Sequence, residues 1–257
     1  MRKLVLFTMA ALMLLSLMTA AQGEGAQTLQ WMLDRLPQAA FADGYLSFVD
    51  YHALVGIQPG AEAPASAEEA AAHFGTPAGQ AYMRALRGAS SGYHNLLMYM
   101  NLPEVKASSG LDPFLMAQSM EVGQPVQQAW IRGPIEEEDM RSALEQKGYQ
   151  PMDETGAMTL WCEGGTCDGG TRVDLARRDP AFLFGGDLGR FWPMALQDDL
   201  AVAVWDAEPA RQIAAQQGPM VGEDPRFQAM LQAMSQPDGE TTAQIVQMMT
   251  VARPERM

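Results

Sequence analysis

The chain is poor in cysteine, histidine and basic residues. Its 257 residues include two cysteines and three histidines, and 17 basic residues stand against 31 acidic ones, for a formal net charge of −14. Affinity for nucleic acids and for anionic membrane surfaces depends on clustered Lys and Arg. We therefore expect neither nucleic acid nor an anionic membrane surface as a partner.

The start of the chain has the pattern of a secretory signal peptide. Arg2 and Lys3 precede an apolar run to Met18, and small residues follow at 19–21. This order of charge, apolar stretch and small residues is typical of a cleaved leader. We predict that residues 1–21 are removed on export, which leaves a protein without stable membrane insertion. An uncleaved membrane anchor is the alternative, because the apolar run approaches the roughly 20 residues that a spanning helix needs.

Residues 22–110 are predicted to be mostly helical. Apolar residues at Leu29, Met32, Leu33 and Leu36 follow the spacing of one helix face. The segment 56–65, GIQPGAEAPA, has no periodicity and is rich in Pro, Gly and Ala. Such a composition is typical of a connector, and we expect this one to be mobile.

Residues 111–257 are predicted to form a sheet region with helices. Strand signals occur at 116–122, 126–132, 158–162, 173–175, 194–196, 200–204 and 243–251, after an earlier strand at 45–49. Hairpin turns between most neighbouring strands favour antiparallel pairing. The sequence thus predicts an α+β fold, with a mainly antiparallel sheet, helices on one face, and a single compact domain that includes residues 22–110.

The two cysteines bracket a short loop between strand-like segments. In an oxidising compartment, Cys162 and Cys167 are expected to form a disulfide. Structural zinc requires four ligands, of which this pair supplies two. We therefore predict a disulfide and assign no metal and no cofactor.

The sequence contains a partial nucleophile motif and residue types that can ligate a metal. The segment 88–92 matches G-x-S-x-G around Ser90, but a predicted helix precedes it where a nucleophile elbow has a strand. The only histidine after Ser90 is His94, too near in sequence to follow the hydrolase order. Asp, Glu and His residues of the N-terminal part could form a metal site if the chain brought them together, namely Asp50, His52, Glu69 and His73.

The stretch 177–193 combines aromatic rings, arginines, aspartates and turn-forming glycines. The candidate binding residues are Arg178, Asp187, Arg190, Phe191 and Trp192. Rings supply contact area and guanidinium groups supply directed charge, as recognition surfaces require. In the alternative interpretation, the Phe and Trp side chains fold under the sheet while Arg and Asp pair locally.

The run from Gly169 to Trp192, GGTRVDLARRDPAFLFGGDLGRFW, together with the segment 43–50, resembles exported bacterial proteins to which no chemistry is assigned. The resemblance implies a bacterial envelope setting, periplasmic or extracellular. It carries over no functional residue.

From these observations we expect an exported, non-enzymatic protein. Its partner would be an envelope protein or a small ligand, bound through the stretch 177–193. The alternative is a hydrolase or metal-dependent enzyme that uses Asp, Glu or His of the N-terminal part.

Overall fold

The computed structural model describes residues 24–41, 45–87, 89, 102–123, 125–153, 156–235 and 247–251. The predicted signal peptide lies outside the described residues, as do Ser90 and His94 of the candidate hydrolase motif. Within the described ranges, no helix is long and apolar enough to cross a membrane.

The centre of the protein is an antiparallel sheet. Its described strands are β1 (Tyr45–Asp50), β2 (Gln118–Val122), β3 (Gln128–Arg132), β4 (Tyr149–Asp153), β5 (Thr159–Glu163), β6 (Met194–Gln197), β7 (Leu200–Val204) and β8 (Gln247–Val251). They lie in the order β4-β5-β6-β7-β3-β2-β1-β8, and every neighbouring pair is antiparallel. The predicted α+β class with a mainly antiparallel sheet is confirmed.

Helices surround the sheet. In the described part of the chain they are α1 (Glu24–Leu33), α2 (Tyr51–Gly56), α3 (Ala70–Phe74), α4 (Pro77–Leu86), α5 (Leu102–Ser109), α6 (Glu137–Gln146), α7 (Ala207–Ala215) and α8 (Pro225–Ser235). The start of α4 shows why a helix begins there: Gly79 N donates to Thr76 Oγ1 at 3.0 Å, and Pro77 occupies the first turn.

Both faces of the sheet are buried. In β7, Leu200, Val202 and Val204 belong to one apolar cluster, while Ala201 and Ala203 belong to another. Successive side chains of a strand point to opposite faces, so the two clusters lie on opposite sides of the sheet. We call the side of Val202 the first face and the side of Ala201 the second face.

Helices pack on each of these faces, which corrects the prediction that they cover only one. The first face is covered by α1, α7 and α8, through residues such as Leu33, Ile213 and Phe227. The second face is covered by α2, α4, α5 and α6, through residues such as Val105 and Leu144. The physical reason lies in strands such as β7, whose continuous apolar run must be shielded from water on both sides.

One strand was not predicted from the sequence. Tyr149–Asp153 forms β4, the outermost strand beside β5, and its register shifts between Pro151 and Asp153. Proline has no N–H to donate to a regular ladder, and an edge strand tolerates it because one side of that strand has no partner. Because proline argues against a strand in a sequence pattern, this edge strand was not predicted.

One predicted strand is absent from the described sheet. Val173 and Leu175 alternate like strand residues, but they lie in a loop that contains the 3-10 turn Leu175–Arg177. Asp174 begins this turn, since its side chain accepts a hydrogen bond from Ala176 N at 3.1 Å.

Candidate functional site

Residues 168–193, here called the 168–193 loop, run to the start of β6 along the second face. Two 3-10 turns, Leu175–Arg177 and Gly186–Leu188, contact each other within it. Asp174 N donates to Leu188 O at 3.2 Å, which joins the two turns. Gly189 has a φ of 63°, and a Cβ on it would lie 1.8 Å from Asp174 O. Only glycine permits this close approach.

The underside of the loop is an aromatic cluster in the core. Phe182, Phe184 and Phe191 are buried, and the Phe182 and Phe191 ring centroids lie 5.9 Å apart. Tyr149 of β4 packs against Phe182 and donates its hydroxyl to Trp192 O at 2.9 Å. Burial raises the pKa of Tyr149 well above its ordinary value, so the phenol stays neutral as a donor.

Ion pairs fix the loop to the surrounding helices and strands. Asp179 accepts hydrogen bonds from Lys147, next to α6, and from Ser108 of α5, the latter at 3.0 Å. Burial disfavours the charge on Asp179, but the hydrogen bonds from Lys147 and Ser108 outweigh it and hold the pKa of this carboxyl below its ordinary value. Arg177 pairs with Glu163 at 2.8 Å and lies 4.2 Å from the ring centroid of Phe191.

Arg190 and Trp192 are half-buried and pack against Trp205. The two indole rings are stacked, with centroids 6.3 Å apart and planes 15° apart. The Arg190 guanidinium lies 4.6 Å from the centroid of the Trp205 ring. Arg190 Nε and both indole Nε1 atoms are buried and have no acceptor among the described residues. These side chains therefore support the loop through ring contacts and cation–π attraction.

The outer surface of the loop exposes apolar side chains together with charged ones. Leu175, Val173 and Leu188 are 66%, 48% and 39% exposed. Arg172 and Arg178 are exposed on the same loop and form no ion pair within the described part of the chain. We call these five residues the outer patch. Half of the large apolar side chains that the described residues expose lie in this patch.

The structure divides the five sequence-predicted binding residues. Arg178 and Asp187 are exposed on the loop. Phe191 is a core residue and presents no ring to solvent. Arg190 and Trp192 have intermediate exposure.

The apolar members of the outer patch were missed as binding residues. Val173 and Leu175 alternate in the sequence, and that pattern indicated a half-buried strand. The Asp and Gly residues that surround them, with Asp174 between the two and Gly189 opposite, were the available signal for a turn.

The predicted cysteine pair is joined in the structure. Cys162 and Cys167 form a disulfide across the turn that follows β5. Both cysteines are buried in the cluster on the first face. Gly164 and Gly165 of the turn have φ values of 61° and 70°, a backbone conformation that favours glycine. The disulfide thus joins the end of β5 to the start of the 168–193 loop.

The residues proposed for a metal-dependent enzyme do not converge. His52 is exposed, and His73 Nε2 is hydrogen-bonded to Glu62 O at 2.7 Å. Asp50 serves as the cap of α2, because its carboxylate accepts from Ala53 N at 2.8 Å. Among the described residues, no three His, Cys, Asp or Glu side chains are grouped as a metal site would require. Glu69 is exposed on the surface before α3.

Comparison with known proteins gives no assignment. No protein-family model, curated protein or solved structure matches this chain.

Proposed function

We propose that this protein is exported to the bacterial envelope and binds a partner protein there, without catalysis, through the outer patch of the 168–193 loop. The observation that carries the proposal is the exposure of Val173, Leu175 and Leu188 on one loop whose other side is anchored in the core. The backbone hydrogen bond from Asp174 N to Leu188 O brings their two segments together. Apolar area left in water costs about 25 cal/mol per Å², and a partner that covers it recovers that free energy.

The anchoring of the loop favours binding. Association costs free energy when a flexible loop must be ordered, and a loop already held in place avoids part of that cost. Phe182 and Phe184 hold the underside, while Asp179 and Arg177 make ion pairs to neighbouring elements. The outer patch is thus presented on a fixed support.

The charge of the outer patch favours an acidic partner surface. Arg172 and Arg178 are exposed without an ion-pair partner in the described ranges, although the chain as a whole carries a net charge of −14. Complementary charge steers association and selects among partners. The two arginines outnumber the exposed Asp187 next to Leu188, so a surface with exposed carboxylates around an apolar centre fits this arrangement best.

Export is supported by two observations. The first 21 residues have the charge and size pattern of a signal peptide. Cys162 and Cys167 lie at disulfide distance, and disulfides persist mainly in oxidising compartments.

Site-specific crosslinking tests the proposal. A photoreactive amino acid is placed at position 175 of the full-length protein, expressed in its own host, and Ile57 provides the control position because it is 58% exposed and lies outside the loop. We expect a defined crosslinked partner from position 175 and none from position 57. Equal crosslinking from both positions contradicts the proposal.

Affinity measurements with that purified partner complete the test. Leu175→Ser and Arg178→Glu are expected to weaken binding at least tenfold each, since central anchors and arginines dominate interface energies. Ile57→Ser serves as the matched control and should leave affinity unchanged. Unaltered affinity in both loop variants rejects the outer patch as the binding surface.

A further inference from the structure

A groove on the first face lies away from the 168–193 loop. Its volume is about 590 Å³, within the range of sites for small ligands. Trp31 of α1 forms one wall, and Gln118 of β2 with Arg132 of β3 forms the floor. Gln118 and Arg132 are directly paired across the two strands, so the sheet fixes their spacing.

Arg132 is held in place on this floor. Its Nε donates to Asp199 Oδ2 at 2.8 Å, and its guanidinium carbon lies 4.5 Å from the centroid of the Trp31 ring. Its side chain is 28% exposed, and its Nη1 and Nη2 groups have no acceptor among the described residues. A fixed guanidinium with both terminal nitrogens available matches the two oxygens of a carboxylate.

A second guanidinium adds positive charge next to the groove. The guanidinium carbon of Arg35 lies 3.7 Å from the centroid of Trp31. Burial lowers the pKa of Arg35, and the nearby positive charge of Arg132 lowers it further. The carboxylates of Asp34 and Asp199 match the two guanidinium groups in formal charge. Because two carboxylates balance two guanidinium groups, the binding of an anion here depends on the Nη1 and Nη2 groups of Arg132 and not on an excess of positive charge.

We propose that this groove binds a ligand through a carboxylate, which accepts hydrogen bonds from Arg132 Nη1 and Nη2. Asp199 orients the guanidinium through Nε, and the Trp31 ring keeps its plane in position. Pro134 and the edge of Trp31 supply apolar contact for the remainder of the ligand. A small carboxylic acid and the C-terminus of a peptide share this chemistry.

Nuclear magnetic resonance titration of the full protein tests the site. The probe is acetyl-Ala-Ala, compared with its C-terminal amide, which has the same shape but no charge. The reporter is the indole N–H signal of Trp31, assigned with Trp31→Phe. We expect saturable shifts with the acid and none with the amide. Equal shifts with both probes, or none with the acid at about 10 mM, overturn the proposal.

Variants identify the residues responsible. Arg132→Gln is expected to weaken binding of acetyl-Ala-Ala at least tenfold, while Arg141→Gln, an exposed arginine on α6, leaves it unchanged. Asp199→Asn keeps an acceptor for Arg132 Nε but removes a competing charge, so binding should tighten about threefold. A purely structural role for the Arg132–Asp199 pair predicts weaker binding in Asp199→Asn, and that result overturns the proposal.

Two further probes define the ligand. Tighter binding of acetyl-Ala-Ala than of propionate supports a peptide C-terminus, and equal binding supports a small carboxylic acid. Inorganic phosphate, which carries more charge, should bind more weakly than acetyl-Ala-Ala because Asp199 borders the site. Tighter binding of phosphate contradicts a carboxylate site.

Discussion

Gly185 lies against the indole ring of Trp192. A Cβ at Gly185 would be 2.5 Å from both Cδ1 and Nε1 of that ring, closer than non-bonded atoms approach. Gly185 also has a φ of 92°, which L side chains rarely adopt. Two independent constraints therefore require glycine where the 168–193 loop supports Trp192.

Gly185→Ala is expected to destabilise the protein by about 3 kcal/mol, because it combines a steric clash with backbone strain. Gly164→Ala is the matched control. Its φ is 61°, but no atom lies within 4 Å of the added Cβ, so it should cost about 1 kcal/mol. Urea unfolding of both variants measures the difference, and equal losses would show that the contact with Trp192 is relaxed without cost.

Trp192→Ala is expected to lower the unfolding free energy by about 2 to 3 kcal/mol, below the range for fully buried tryptophans, because the ring is half-buried against Trp205. Leu175→Ser should change it by no more than about 0.5 kcal/mol, since that side chain is mostly exposed. Thermal melts of the two variants distinguish a residue that stabilises the loop from a residue of its outer patch. A large loss for Leu175→Ser would mean that this residue is structural.

Asp179 is expected to make the free energy of unfolding depend on pH in the acidic range. Its pKa is lowered in the folded state, so its contribution is complete above the pKa of an unfolded aspartate, about 3.9, and is lost as pH falls through the folded value. Solvent screening limits the effect of the pair with Lys147, and we expect Asp179→Asn to cost about 1 kcal/mol at pH 7.

The cost of Asp179→Asn should shrink at pH 3 relative to pH 7, because pH 3 lies below the pKa of an unfolded aspartate, and proton uptake by the unfolded state removes part of the contribution of this carboxyl. Chemical unfolding of wild-type protein and variant at the two pH values checks this. Asp187→Asn, on the same loop but exposed, is the control and should have little effect at either pH. A cost for Asp179→Asn that is independent of pH would refute the linkage.

Reduction of the Cys162–Cys167 disulfide is expected to cost about 2 kcal/mol, as the loop-entropy relation gives for so short a ring. Thermal melts with and without reductant measure it. Thiol labelling of the denatured, unreduced protein should find no free thiol, and labelling of both cysteines would disprove the pairing in the exported protein.

The exported protein is expected to begin near Gln22, because small residues at Thr19 and Ala21 occupy the positions that a signal peptidase recognises. Intact mass spectrometry of the exported material determines the first residue. Recovery of a membrane-bound form that retains residues 1–21 would establish the uncleaved anchor instead.

Local signals in the sequence were sufficient for several elements. The hairpin of β2 and β3 followed from two apolar stretches around a Gly and Pro turn, and α6 followed from Pro134 and the acidic residues of its first turn. The cysteine pairing followed from spacing between strands. Each of these features depends on interactions between residues close in the chain.

Features that depend on long-range packing were not predicted. Helices on both faces could have been inferred from the unbroken apolar run of β7, but strands joined by hairpins are commonly exposed on one side. The sequence did not predict the outer patch, because the turn at Asp174 depends on the close approach of Gly189, which is distant in sequence. Phe191 is a core residue, as the alternative interpretation of the stretch 177–193 predicted, but no local pattern identified its partners Tyr149 and Phe182.

The proline in β4 limits how this protein self-associates. Pro151 has no N–H, and the register irregularity next to it interrupts the regular row of backbone groups on the outermost strand. A second chain that approaches this side meets no continuous template for strand pairing. When this chain meets other unfolded chains, such an edge lowers the risk of aggregation, while β4 still shields β5.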